Sequence, residues 1–403
     1  MRFLLQFCAT WGYKLVFKPL MFNFSTPDGA HSKMISVSQW ASGNRLVRWF
    51  IKYSMHYENP MLKQKIARFK ETEFINPIGL GAGFDKNAVT ATVMEGLGFG
   101  YAAFGSTTAR YCPGNPKPWF RRLPKAKSMM VYVGLANEGV DEVQKIVSKA
   151  HSSSKTLRVG QSFARTNDAF AADDAEGIKD YAYSLAALAD KTAYLEANIS
   201  CPNTFKGEPF NDPERLDALL TELDKIERSQ PLTLKMPSDK SWDEFKKLLD
   251  VVVKHDVQGV TVSNLRKDRA FKNVDGSDAY IPSDWNGNMS GKPTWALSND
   301  LIARTYLEYG DKLCIIGLGG VFTAEDAYTK IRLGADLVSL VSSLMYEGPA
   351  VLPNIKRGLV KLLKRDGFGN ISQARGVDAK KYVHGPSAAW HKAKGDSRHK
   401  AKG

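Results

Sequence analysis

The sequence is short of cysteine. Cys8, Cys112, Cys201 and Cys314 are its whole complement in 403 residues, scattered with no CxxC spacing. That excludes a disulfide framework and a thiolate zinc site, so no metal is expected and a reducing compartment is the simplest inference. Also missing is an uncharged apolar run of about 20 residues, the length that a membrane-spanning helix needs. The apolar start, Phe3 to Phe22, is interrupted by Lys14, Lys18 and Pro19, and it lacks the clean core and small-residue cleavage site of a signal peptide. No GxGxxG opens a strand–helix unit, which argues against a Rossmann domain. Acidic residues are the minority, 42 against 56 basic, for a formal charge of +14. No RNA- or DNA-binding pattern accompanies that excess, so nucleic acid is not expected as a partner.

What is present reads as a globular enzyme. The hydrophobic fraction of 43% and charged fraction of 24% are those of folded soluble proteins, and the length fits a barrel of roughly 250 residues with appendages. Residues 1–70 carry two amphipathic stretches, Leu4 to Met21 and Ser38 to His56. In the second, Trp40, Leu46, Val47, Trp49, Phe50 and Ile51 are set against Arg45, Arg48 and Lys52. Such a pair fits a membrane interface and fits equally a helical cap packed on the main domain. Residues 369–403 are basic and aperiodic, and are read as a disordered tail.

Between them, residues 71–368 repeat short apolar runs followed by Gly, Asn or Ser and then a helical stretch. The runs are Pro77 to Leu80, Tyr101 to Gly105, Leu157 to Gly160, Tyr194 to Asn198, Leu232 to Lys235, Gly259 to Ser263, Leu313 to Gly317 and Leu337 to Val341. Eight alternations of buried strand and helix predict an α/β fold, a (β/α)8 TIM barrel. Asp268 to Lys292 is a polar insertion without a period, expected to be a functional or mobile loop.

In such a barrel the chemistry lies where the strands end. The first run leads into Gly81-Ala82-Gly83-Phe84-Asp85-Lys86, the fourth into Asn198-Ile199-Ser200-Cys201-Pro202-Asn203, the fifth ends in Lys235, and the sixth in Ser263-Asn264. Amides and cations gathered at one rim suit a planar, anionic ligand rich in acceptors. Gly317-Leu318-Gly319-Gly320 and Val341-Ser342-Ser343 follow the last two strands, where barrels commonly hold a phosphate.

These motifs resemble the dihydroorotate dehydrogenases, in order from about Phe24 to Leu363. The resemblance rests on Asn76 to Lys86, Pro113 to Pro118, Asn198 to Thr204 and Ile316 to Val321, while Thr26 to His31 looks like the short motif of the quinone-linked class. It implies oxidation of dihydroorotate to orotate in pyrimidine (UMP) biosynthesis, with FMN as cofactor and a membrane quinone as acceptor. It also implies peripheral membrane association, at the cytoplasmic face of the inner membrane if the protein is bacterial. By the same resemblance Gly81, Ala82, Ser106, Asn198, Lys235 and Ser263 hold FMN, together with Gly291, Gly319, Gly320, Val341 and Ser342. Lys86, Asn198, Asn203 and Asn264 hold substrate, Cys201 is the base, and His31 and Arg122 belong to the quinone site.

Four positions depart from the family pattern. Cys201 stands where quinone-linked members usually have serine and soluble members cysteine. Val131 replaces a substrate-binding asparagine, with Asn137 or Gln161 as candidates to fill its role. Arg158 falls near the third strand where an asparagine is expected, and Val341 replaces a tyrosine near quinone and flavin. These departures keep two alternatives open: a related FMN barrel with another cyclic substrate or a soluble acceptor such as fumarate or NAD, and a flavin barrel that binds membrane surfaces without catalysis.

Overall fold

A computed structural model describes residues 2–385. The apolar runs become eight parallel strands: β1 (Ile78–Leu80), β2 (Tyr101–Thr107), β3 (Arg158–Phe163), β4 (Tyr194–Asn198), β5 (Leu232–Lys235), β6 (Gly259–Val262), β7 (Cys314–Leu318) and β8 (Leu337–Leu340). They pair in chain order, and β8 closes onto β1 through Val338↔Ile78, Ser339↔Gly79 and Leu340↔Leu80. This is the expected (β/α)8 barrel. Helices that follow the strands cover its outside, and their starts are written in the sequence. Asp173 and Asp212 accept from backbone N–H groups at the heads of Asp174–Leu188 and Pro213–Asp224, and Ser241 with Glu244 forms a capping box on Trp242–Val252. Leu216, Leu219, Leu220 and Leu223 line one buried helical stripe.

The end of the barrel opposite the rim is plugged. Strands Gln64–Ile66 and Thr72–Phe74 form an antiparallel hairpin that drives Phe69 and Phe74 against Tyr101 and Tyr194, all four at most 1% exposed. Gly79 makes this possible, since a Cβ there would lie 2.2 Å from the Tyr101 ring. The plug places a solid floor beneath the rim. Arg158 sits at this end too, where its Nε donates to the Glu73 carbonyl at 2.7 Å. It is therefore on the far side of the barrel from the site where a family asparagine was sought.

Three helical segments precede the barrel. Residues 2–24 are helical throughout, a π-helical turn at Tyr13–Phe17 joining Arg2–Gly12 to Lys18–Phe24. The second amphipathic stretch is divided differently from the sequence reading. Asn44 ends Pro27–Gly43 and caps Arg45–Met55 by accepting from Leu46 N and Val47 N. The helix Pro27–Gly43 starts ahead of the amphipathic stretch; only Ala30 and Ala41 of it are buried, so most of it carries no apolar stripe. Its start was nonetheless visible as Thr26-Pro27-Asp28, with Thr26 Oγ1 accepting from Gly29 N at 3.1 Å.

The tail also differs from expectation. Residues 371–384 fold into a short 3-10 turn and the helix Ala379–His384, burying Ile371, Ala374, Ala379 and Val383. Arg375 reaches the buried Asp336 carboxylate, which Arg68 of the plug also pairs, and Asp378 pairs Arg332. The basic composition hid this because its contacts are long-range; the remainder of the expected disordered tail, 386–403, lies outside the described residues. Truncation after Phe368 is expected to destabilise the fold by about 3 kcal/mol or more, at about 1.5–3 kcal/mol for each fully buried large aliphatic side chain, and by leaving Asp336 less well compensated. An unchanged thermal midpoint in the truncated protein would refute this.

Candidate active site

A small antiparallel sheet stands over the rim, with Ser128–Val131 in its middle between Phe120–Leu123 and Asn288–Met289. The last strand comes from the polar insertion. A single cavity runs between this sheet, the strand ends and the N-terminal helices. Lys86, Ser106, Asn198, Cys201, Asn203, Lys235 and Asn264 line it, as do Ala82, Gly291, Gly319, Gly320, Val341 and Ser342. Two expected positions stand back from the wall. Gly81 packs behind it, with Leu318, Val341 and Ser339 around the place of a Cβ. Ser263 is fully buried, its Oγ unpaired among the described residues.

The loop after β1 is held rigid so that Lys86 can reach inward. The buried Asp85 carboxylate accepts from Asn87 N, Thr90 N and Thr90 Oγ1, and the backbones of Gly83 and Gly105 are joined at 2.8 Å. Lys86 Nζ lies 5.3 Å from the Trp119 ring centroid and 5.8 Å from that of Phe120. Burial brings its pKa down to about 8, against the pull of Asp85 and Asp28. A cation stripped of water in this way gains most from an incoming anion.

The amides are fixed by each other. Asn198 Nδ2 donates to Ser106 Oγ at 2.8 Å, and Ser106 Oγ shares a hydrogen with Ser162 Oγ at 2.9 Å. Ser162 of β3 thus supports Ser106 from behind the cavity wall. Asn264 Nδ2 donates to Ser200 O and Ser200 Oγ, and Ser200 Oγ donates to the Lys235 carbonyl at the end of β5. Asn203 donates to the Val131 carbonyl at 2.8 Å, and its own carbonyl accepts from Asn115 Nδ2 at 2.9 Å. The Pro113 to Pro118 turn therefore clamps the loop that carries Cys201 and Asn203.

Neither candidate substitute for the asparagine missing at 131 faces the cavity. The Asn137 amide is consumed in its own turn, by Thr108, Gly139 and Leu135. Gln161 is buried within β3, where its Nε2 donates to the Ser162 carbonyl and its Oε1 has no partner among the described residues.

Cys201 is the one thiol on the cavity wall. Burial pushes it up to about 11, the backbone N–H of Asn203 and the charge of Lys235 offsetting part of the rise. Relative to an ordinary thiol of about 8.5, this cysteine is harder to ionise, which is the reverse of what its residue type alone leads one to expect.

At the end of the cavity near β7 and β8, Gly319 and Gly320 have positive φ, and a Cβ on either would come within 2.5 Å of Thr294 or Trp295. Backbone amides are bared there, while Ser343 Oγ and Trp295 Nε1 are buried without partners among the described residues. Donors in that setting fit a phosphate and a polar ring edge.

The opposite end is joined to the N-terminal helices. His31 Nε2 is 2.7 Å from the Phe84 carbonyl, Asp28 accepts from Trp119 N, and Arg122 Nη1 donates to Ser25 O at 2.8 Å while its guanidinium lies 4.6 Å from the Phe22 ring. Burial, reinforced by the Lys86 charge, lowers His31 to about 4, so the ring is neutral at pH 7. Met21, Phe22, Met34, Tyr13 and Met345 complete an apolar mouth.

The sequence model of the dihydroorotate dehydrogenase family matches residues 61–363. The chain belongs to that family. Among its relatives, the protein of Natronomonas pharaonis is 34% identical over 366 residues, covering 91% of this chain and 99% of its own, and that of Nostoc punctiforme is 30% identical over 381 residues, covering 91% and 98%. Both are named dihydroorotate dehydrogenase (quinone). The crystal structure of DHODH in complex with ferulenol from Eimeria tenella shares the fold at a TM-score of 0.76, with 24% identity over 91% of this chain and 99% of that one.

Within this family the raised Cys201 thiol has a direct chemical readout. Alkylation by iodoacetamide needs the thiolate, so Cys201 is expected to react far more slowly at pH 8 than the exposed Cys8. Because the group loses its proton only toward pH 11, its labelling rate rises about tenfold per pH unit from pH 7.5 to 9.5. Peptide mass spectrometry over a time course measures both, and a rate for Cys201 that levels off near pH 8.5 would contradict the burial argument.

Proposed function

We propose that this chain oxidises dihydroorotate to orotate with FMN as cofactor and hands the electrons to a membrane quinone, the step that belongs to pyrimidine (UMP) synthesis. The observation that carries the reading is the single cavity with three chemically distinct regions: bared amides and hydroxyls at one end, a cation and three amides around a thiol in the middle, and an apolar mouth under the N-terminal helices. The names of the relatives, dihydroorotate dehydrogenase (quinone), support the same assignment.

In this reading Gly319, Gly320 and Ser342 would hold the phosphate of FMN, and Ala82, Ser106 and Lys235 would hold its ring. Gly81, Ser263, Gly291 and Val341 shape the pocket around it. When bound, FMN supplies the two-electron chemistry that side chains lack. The remaining tasks fall to the chain. Lys86 pairs with the substrate carboxylate, and that charge pairing raises its own pKa again. Asn198, Asn203 and Asn264 orient the ring through directional amide bonds. Cys201 Sγ takes the proton from the ring carbon next to the one that is oxidised, and the Lys235 charge favours the thiolate. The ionised fraction governs speed, because at pH 7 only about one thiol in ten thousand would be ionised at a pKa of about 11.

The membrane side of the proposal rests on surface chemistry. Thirteen of the twenty-two large apolar side chains exposed among the described residues lie between Leu4 and Phe50, including Trp11, Phe24, Trp40 and Trp49. Arg45, Arg48 and Lys52 share the last of these helices. No described helix is long and apolar enough to cross a bilayer. Aromatic and basic groups on helices that do not span fit peripheral attachment at the headgroup level, with His31 and Arg122 at the quinone mouth.

Anaerobic addition of dihydroorotate is expected to bleach the bound flavin, and a short-chain ubiquinone to restore its colour. The bleaching rate should rise with pH toward 10, and Cys201→Ala should keep its flavin yet bleach at least about a hundredfold more slowly, within the range for losing a general base. No bleaching would remove the reading, and recovery with fumarate alone would favour the soluble-acceptor alternative. Deleting residues 1–55 leaves the barrel plug in place, so flavin and dihydroorotate reactions should survive while liposome binding and ubiquinone turnover fall. Equal vesicle flotation with and without the segment would count against the attachment surface.

A further inference from the structure

Position 131, where the family resemblance calls for a substrate-binding asparagine, holds a valine, and a hydrocarbon on the cavity wall cannot bond a polar ring. The strand that pairs beside it restores an amide. In the antiparallel ladder Asn288 stands directly opposite Val131, and Phe120 stands opposite it on the other side. Residues paired in this way share a face of the sheet; Val131 and Phe120 both line the cavity. Asn288 Nδ2 donates to Asn203 Oδ1 at 2.8 Å, while Asn203 Nδ2 donates to the Val131 carbonyl at 2.8 Å. Asn203 is only 8% exposed.

We infer that Asn288 is the positioning residue that compensates for Val131 in recognition of the substrate. An asparagine side chain has one oxygen and two N–H donors. With the oxygen of Asn203 engaged by Asn288 and one N–H by the Val131 carbonyl, the amide can take a single orientation, and its second N–H is left to point along the cavity. That donor meets a carbonyl or carboxylate oxygen of a planar anionic ring. Without Asn288 only the Val131 carbonyl selects this orientation over the one turned by half a revolution, which would present an oxygen to the ligand's own oxygen. The insertion Asp268 to Lys292 thus acquires a purpose, because it delivers one amide across the strand gap to the site. The inference rests on the substrate reading above and adds to it a specificity-determining position.

The test uses the flavin-loaded full chain, with orotate as probe, followed through its perturbation of the flavin absorbance. Asn288→Ala should weaken orotate about tenfold, the effect of leaving a buried amide without its partner. KM for dihydroorotate should rise by a similar factor, with kcat, flavin content and thermal midpoint near those of the parent. Adding Val131→Asn to that variant should recover most of the affinity, a rescue that a purely structural role would not give. Should Asn288→Ala fail to fold, the isosteric Asn288→Asp carries the test, because a carboxylate facing Asn203 Oδ1 turns the amide over and orotate binding should fall further. Parental affinity in these variants would overturn the inference, as would loss of flavin and stability in step with orotate. A parent chain that does not respond to orotate would overturn the substrate reading, and this inference with it.

Discussion

Parallel closure of the barrel is the constraint on which the rest depends. Eight strands that run the same way and return to their start must all end at one rim, so residues as distant in sequence as Lys86, Asn198, Lys235 and Gly319 meet around one cavity. The aromatic plug of Phe69, Phe74, Tyr101 and Tyr194 closes the other end, which gives the rim a floor rather than a pore. Rigidity follows from this closure. A rim anchored on strand ends can hold amides in fixed hydrogen-bonded orientations, whereas the same groups on free loops would have to be ordered by the ligand at a cost in affinity.

Burial in that rim changes the chemistry of two groups in opposite senses. Lys86 is pulled down toward neutrality and Cys201 is pushed up toward it, because low-dielectric surroundings penalise whichever form is charged. Both are therefore poised to respond to a ligand. An anion arriving beside Lys86 would restore its charge, while the Lys235 charge and the Asn203 N–H are what favour the thiolate of Cys201. Serine in the same place would be harder still to ionise. In the proposed reaction the exchange of serine for cysteine thus favours ionisation, and the presence of Cys201 does not by itself indicate a soluble acceptor.

What could be read in the sequence, and what could not, divides by the range of the interaction involved. The strands were legible because each is a continuous apolar run, and only their ends moved, as with β3 extending to Phe163. The strand-end motifs were legible because the glycines, amides and lysines that a rim needs sit beside the runs that place them. Three features were not. Asn288–Met289 is a two-residue strand whose partner lies over 150 positions earlier, and no local period marks it. Arg158 was misplaced because the apolar run Leu157 to Gly160 sets it inside the strand, whereas the strand starts at Arg158 and reaches the rim only at Phe163. The folded part of the tail is held by Asp336 and Arg332, so its charged composition looked like disorder when it was paired.

The N-terminal helices show why such departures need the three-dimensional context. Their apolar side chains look outward, a placement that water penalises and that a lipid surface relieves. Yet the same segment also turns inward, through Asp28 on Trp119 N, His31 on the Phe84 carbonyl and Arg122 on Ser25 O. Each of these bonds lands on the loop after β1 or on the small sheet over the rim. The Lys86 loop and the Trp119–Phe120 segment that stacks on it are therefore tied to the N-terminal helices. The apolar mouth under the helices and the Lys86 loop are thus joined by direct hydrogen bonds.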